Sequence, residues 1–222
     1  MTINMKTKYN WLNHVFNFLA VILGVYLAFF INEKAQAKQE REESIVLMNS
    51  LLADFSDDIE RFDTYQIPKN KEHQQKVERL FTSLLEGVPE DLDEQLSGIF
   101  EVENYSPATS TYSSMKATGK VSLIRELSLQ KMLSDYYDGL VLESARKGEF
   151  QVDFFTEEIL NWLTDKVDFV QVKELSREDI IVLRNKLFIY ESIIDQKVKS
   201  YELLLKESRK LEETIKALLK KR

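Results

Sequence analysis

Residues 15–31 are apolar at every position except Asn17, and no other feature limits the accessible folds so tightly. Trp11 and Leu12 bring the stretch close to the ~20 residues that a bilayer-spanning helix requires. A helix buried in a soluble core carries a polar stripe, and here Asn17 is the one strongly polar side chain. Tyr9 and Trp11 stand where interfacial aromatics are expected, and Asn32-Glu33-Lys34 closes the far end. The expected layout is a short tail at 1–10 and a transmembrane anchor at 11–32.

Two readings of this segment compete. A cleaved signal peptide would use Lys6 and Lys8 as its charged region and Ala35-Gln36-Ala37 as its small-residue cleavage site, releasing a secreted helical protein. Signal-peptide cores span ~7–15 apolar residues, and this one is longer. Glu33 and Lys34 also separate it from the alanines. A retained signal anchor is therefore the favoured reading. Lys34, Lys38 and Arg41 after the span, counted against Lys6 and Lys8 before it, lean towards a cytoplasmic C-terminal side. Glu33, Glu40, Glu42 and Glu43 are interleaved with them, and large domains translocate largely regardless of charge. The ordinary signal-anchor layout then sets the expectation: a single-pass protein of the cell inner membrane, with its C-terminal domain periplasmic or extracytoplasmic.

Within the span, Ala20, Gly24 and Ala28 recur four apart on one helix face, with Asn17 close to it. Small residues let a second helix approach closely, and an Asn can donate across the pair. The competing reading is that Ala and Gly are common in membrane helices whatever they face.

The rest of the chain reads as helix. It has six Gly and three Pro in 222 residues, too few for a loop-rich or all-β fold. With 44% hydrophobic and 30% charged residues it can fill a core and is not a disordered chain. The net charge of −7 argues against nucleic-acid binding, which needs clustered Lys and Arg. Cysteine is absent, which removes disulfides, thiol nucleophiles and Cys–metal sites.

Ile45, Met48, Leu52, Phe55, Ile59 and Phe62 are spaced alternately by three and four, the pattern of helices packed along a seam. No Gly or Pro interrupts 33–67, so this helix is expected to continue out of the membrane and to stop at Pro68. A second helix follows over 71–85, ended by Gly87 and Pro89. A short acidic helix, with Leu92, Leu96, Ile99 and Phe100 on its apolar side, leads to a loop through Asn104, Ser106 and Pro107. Thr109, Ser110 and Thr111 are candidate N-caps for the next short helix. Gly119 suits the left-handed position beyond it. Ser122 is expected to cap a helix through Leu127, Met132, Tyr136 and Tyr137.

The last 74 residues contain no Gly or Pro. A helix through Phe154, Phe155, Ile159, Leu160 and Leu163 breaks near 167–174, and Ser176 caps the restart. The final helix has seam positions Ile180, Leu183, Leu187, Tyr190, Ile194, Lys197, Tyr201, Leu204, Ser208, Leu211, Ile215 and Leu218. Ten of those twelve are apolar. At 1.5 Å per residue this seam is about 58 Å long, and it needs a partner. Over its first half the expected partner is the 45–62 helix of the same chain, running antiparallel. Past Leu204, a second copy or the membrane-proximal helix fits equally. The expected fold class is all-α: one N-terminal transmembrane helix, a helical bundle over 33–175, and a long coiled-coil-like helix over 176–222.

Three stretches together resemble an uncharacterised family of short, single-pass bacterial membrane proteins. They are Val21-Ile22-Leu23-Gly24-Val25-Tyr26-Leu27-Ala28 running to Ile31-Asn32; Leu51-Leu52-Ala53-Asp54 with Asp57-Asp58-Ile59; and Thr111-Tyr112-Ser113-Ser114-Met115-Lys116 with Gly119-Lys120-Val121-Ser122-Leu123-Ile124 and Tyr136-Tyr137. The resemblance covers roughly residues 19–140. Members often carry Trp after the Asn at the end of the span, where this chain has Glu33. The resemblance implies a retained anchor and a helical soluble region, and it brings no activity with it.

The 111–124 stretch is the most distinctive part of the soluble region. Tyr112, Lys116, Gly119 and Lys120 form a candidate partner or ligand corner, against the reading that capping and turn geometry alone explain these residue types. Asp54, Asp57 and Asp58 read as a solvated acidic face, since one helix offers too few converging oxygens for calcium. His14 and His73 lack metal-ligand spacing, and no phosphate loop, nucleophile elbow or zincin motif occurs. No catalytic residue, cofactor or metal is expected. The expected role is a membrane-anchored, non-enzymatic helical interaction or scaffold protein, with a protein partner or a second copy as its occupant. The alternative is a ligand-sensing domain that signals through a membrane partner.

Overall fold

The computed structural model describes residues 5–168 and 175–221. Among them every regular element is helical, so the chain is all-α, with a long apolar helix near its N-terminus and a long helix near its C-terminus. The first helix, α1, spans Met5–Arg61. Packing divides the chain into one unit up to Val46 and another from Leu47 on.

In the first unit, one helix is long and apolar enough to cross a membrane, and none of its apolar window is buried by protein. Phe16, Phe18, Leu23, Tyr26, Phe29 and Ile31 all point outward. Enclosing a large apolar side chain is worth ~1.5–3 kcal/mol, and the packing of this unit gains none of that for these residues. Beyond the apolar stretch the helix becomes polar, with Gln36 bonded to Glu40 at 3.0 Å and Lys38 paired with Glu42 at 3.8 Å.

The second unit is built from three long helical stretches. The first is the end of α1, a π-helical turn at Phe62–Gln66, and α2 at Ile67–Glu86. Pro68 was expected to stop the helix and does not. It sits in the first turn of α2, directly after the wider π turn, in which the Ile67 N–H donates to the Phe62 carbonyl five residues back. A proline lacks the N–H of the regular ladder and crowds the carbonyl four residues before it; the widened turn absorbs both defects. Gly87, at φ 144°, then ends α2.

A crossover follows. It holds α3 at Leu92–Gly98, irregular chain over 101–109, α4 at Ser110–Ala117 and a 3₁₀ turn at Lys120–Leu123. Ser122 caps no helix: it lies in the 3₁₀ turn, donating to the Gly119 carbonyl at 2.7 Å, and Glu126 precedes the next helix without a side-chain cap. The second long stretch comprises α5 at Leu127–Ser134, α6 at Leu142–Phe154 and α7 at Asn161–Lys166, joined by π turns at Asp135–Val141 and Phe155–Leu160. The expected break begins at Val167, whose backbone is extended; most of the 167–174 stretch lies outside the described residues. The third stretch is α8 at Arg177–Lys220, and Ser176 caps it as expected, its Oγ accepting from the Asp179 N–H at 3.1 Å.

Cross-helix pairs give the directions. Asp63 meets Arg209 at 2.9 Å and Lys71 meets Glu202 at 2.6 Å, so α8 runs antiparallel to the first stretch. Glu158 meets Lys186 at 2.6 Å and Lys166 meets Asp179 at 3.5 Å, so α8 is antiparallel to the second stretch too. The first two stretches are therefore parallel, and parallel neighbours need a connection that returns the full length of the bundle. The crossover supplies it. Core residues come from every layer: Val77, Leu80 and Leu84 of α2, Leu96 and Ile99 at α3, Ile159 and Leu163 of the second stretch, and Leu183, Leu187 and Ile194 of α8.

The α8 seam is filled by the chain itself. Leu187, Tyr190, Ile194, Tyr201, Leu204, Leu211 and Ile215 are buried, and Leu218 is half-buried. Over its first half the partner is α2, where Lys71 meets Glu202 and Gln74 meets Glu191, and not the expected 45–62 helix. Past Leu204, where a second copy or the membrane-proximal helix was expected, the seam meets the second stretch, and Ser208 Oγ shares a 2.8 Å hydrogen bond with Tyr136.

Candidate functional site

The corner at α4 is organised by one carboxylate. Tyr112 and Lys116 lie one helical turn apart and both reach Asp138, at 3.0 Å to Oδ2 and 2.8 Å to Oδ1. Asp138 stands in the π turn, which also turns Tyr136 and Tyr137 inward. The Tyr112 ring stacks on Tyr137 with centroids 4.5 Å apart. The Lys116 ammonium holds the Asp138 carboxyl below its usual range, helped by the Tyr112 hydroxyl. Above the two rings lies an open groove of about 420 Å³, lined by Thr109, Tyr112, Ser113, Lys116, Tyr137, Asp138, Val141 and Leu142 among others.

The four residues expected at this corner divide. Tyr112 and Lys116 line the groove, whereas Gly119 and Lys120 lie in the turn beyond it. Gly119 has φ 70°, and a Cβ there would meet nothing within 4 Å, so glycine answers to backbone conformation alone. Thr109, Ser110 and Thr111 were expected to cap α4 through a side chain; Thr109 holds the cap position without a side-chain cap bond, and its carbonyl accepts from the Ser113 N–H.

A second polar arrangement lies inside the bundle. The irregular part of the crossover has no strand neighbour among the described residues, and side chains of the long helices meet several of its peptide groups instead. The His73 ring donates from Nε2 to the Ile99 carbonyl at 3.0 Å. Lys197 donates to the Glu103 carbonyl at 2.8 Å and to Asn104 Oδ1 at 3.1 Å. Tyr201 Oη accepts from the Tyr105 N–H at 2.8 Å and donates to the Tyr105 carbonyl at 3.3 Å. Asp58 Oδ1 accepts from the Tyr105 hydroxyl and from the Ala108 N–H. Asn104 Nδ2 donates to the Gly148 carbonyl at 3.1 Å, and a Cβ on Gly148 would come within 3.0 Å of Asn104.

Burial dominates the electrostatics here. His73 is drawn down to about 4 by desolvation, against its bond to Ile99. Lys197 is drawn down to about 7 by desolvation, with only Glu103 opposing. Asp58 is pushed up by burial, opposed by Tyr105 and Ala108, and Tyr105 is pushed up by burial and by Asp58. Asp58 corrects the expectation of a solvated acidic face: its side chain is fully buried, with Asp54 half-buried and Asp57 exposed beside it. Sequence reading singled out neither His73 nor Lys197 for a role. The available signal was a lysine at a seam position between Ile194 and Tyr201.

Asn17, Ala20, Gly24 and Ala28 are exposed on the apolar helix of the first unit, with nothing within 4 Å of the position a Gly24 Cβ would take. Among the described residues, no group of three or more His, Asp or Glu is arranged to hold a metal.

The chain matches no curated protein and no solved structure. Residues 17–181, from inside the apolar helix to the start of α8, match a family of unknown function, DUF6090. That span is well over half of the chain and takes in most of the apolar stretch and the crossover with its polar interior, so the protein belongs to the DUF6090 family.

Proposed function

We propose that this protein is a membrane-anchored, non-enzymatic helical domain that docks a protein partner at the bilayer surface. The observation that carries the reading is the apolar window of the N-terminal helix, none of which is buried by protein. Such a surface is stable when lipid or other membrane helices enclose it. The helix is retained as a signal anchor in the bacterial inner membrane, with the bundle on the extracytoplasmic side. Ala20, Gly24 and Ala28, with Asn17 beside them, form the face on which it packs against another span.

The bundle fills the α8 seam with its own helices, so a docking partner takes a different surface. The Tyr112–Lys116 groove is the site we assign to it, because it joins two stacked aromatic rings to a Lys–Asp pair on a rigid corner. A photo-crosslinking residue at Ser113 or Leu142, placed in membranes of the native host, tests this. A discrete crosslinked protein at these positions, absent from a control at exposed Lys131, is the expected result. A crosslink pattern identical at all three positions would overturn it.

A second reading is favoured by the groove volume, which lies within the ~300–1,000 Å³ typical of small-molecule sites. In that reading the corner senses a ligand and passes the signal to a membrane partner. Crosslinking that is lost on adding a host metabolite extract would favour it over constitutive docking.

A further inference from the structure

Lys197 is fully buried, and both of its hydrogen-bond acceptors, the Glu103 carbonyl and Asn104 Oδ1, are uncharged. A neutral amine can donate to both at little electrostatic cost. An ammonium in the same place carries a full charge bonded only to dipoles, and the Glu103 carboxylate, which accepts from the Tyr65 hydroxyl, offsets only part of the cost of burying it. Both acceptors belong to the crossover, so the charge can regain water only if the crossover moves.

We propose that Lys197 is a proton-operated latch on the 101–109 strap: its neutral amine holds the strap against the bundle, and its protonation releases it. The strap has no strand partner among the described residues, so side chains serve as its clasps, with Lys197 at Glu103 and Asn104. The chain just before it is held by His73 at Ile99, and its far end by Asp58 at Ala108. The strap runs directly into α4, so release also frees the corner that carries Tyr112 and Lys116. The latch stands on the interior geometry alone and is independent of what docks at that corner.

The groups around Lys197 allow its titration to be isolated. Glu103 faces it from the strap, His73 from α2, and Tyr201 lies one turn along α8. The second long stretch contributes the uncharged Gly148 carbonyl through Asn104. Burial sets Lys197 at about 7, His73 stays neutral down to about 4, and Tyr105 and Tyr201 are both pushed up. Asp58 is a carboxyl pushed up by burial, and the variants below separate its titration from that of Lys197.

Hydrogen exchange of the full chain in detergent micelles tests the latch, read at the Tyr105 and Ala108 amides and corrected for the intrinsic pH dependence of exchange. In the wild type, strap opening should fall about tenfold per pH unit from roughly pH 7 to pH 9, the slope of one proton. Lys197→Met and Lys197→Gln should both be flat over that range. Tyr201→Phe should open more at every pH and keep the wild-type slope. A flat wild-type profile would overturn the proposal, as would the same slope in either Lys197 variant.

Discussion

His73 is neutral in the folded protein because the bundle strips its ring of water, and the ring's Nδ1 has no hydrogen-bond partner among the described residues. The unfolded chain takes up a proton near 6.5, whereas the folded chain does so only near 4. Stability is therefore complete above the upper value and is lost progressively as pH falls through that window. The full effect is on the order of 3 kcal/mol. Asp58 titrates with the opposite sign, so the His73 part is the difference between wild type and His73→Gln in urea melts down to about pH 4. The wild type should lose stability faster than the variant as pH falls. Asp58→Ala leaves the Tyr105 hydroxyl and the Ala108 N–H without their acceptor, and it should cost about 1–3 kcal/mol at neutral pH. None of these roles was legible beforehand. Each depends on the crossover lying across the helix, and period-3.6 patterning carries no information about which polar residue a distant segment will meet.

Helix positions were readable, and so were those helix ends whose local signal the neighbours leave alone. The seam of α8, the Ser176 cap, the left-handed Gly119 and the stop at Gly87 each follow from a local rule that the tertiary structure leaves intact. Pro68 and Ser122 were misread for a common reason: a local stop or cap signal was overridden by its neighbours, through the π turn at Phe62–Gln66 in one case and the 3₁₀ turn at Lys120–Leu123 in the other. Two substitutions test this scale by thermal denaturation. Ser176→Ala removes the acceptor for the Asp179 N–H and should cost about 1 kcal/mol. Gly119→Ala meets no steric neighbour but must hold φ 70°, so it should cost about 1–2 kcal/mol through backbone strain alone. A cost near zero there would mean that the corner relaxes.

At the scale of the whole molecule, the chain joins an apolar helix to a bundle with its own core. The unit from Leu47 on closes its seam internally and satisfies its crossover with buried side chains. It should therefore fold without the residues before it, giving a soluble, helical, cooperatively melting protein; an aggregated or molten product would contradict that. The apolar helix bears directly on the proposed role, because docking at a membrane requires that the span be retained in one. Alkaline extraction of host membranes carrying the full-length chain measures this. The account predicts that the chain stays in the membrane pellet at its full-length mass, and recovery in the supernatant, or as a shortened soluble product, would contradict it.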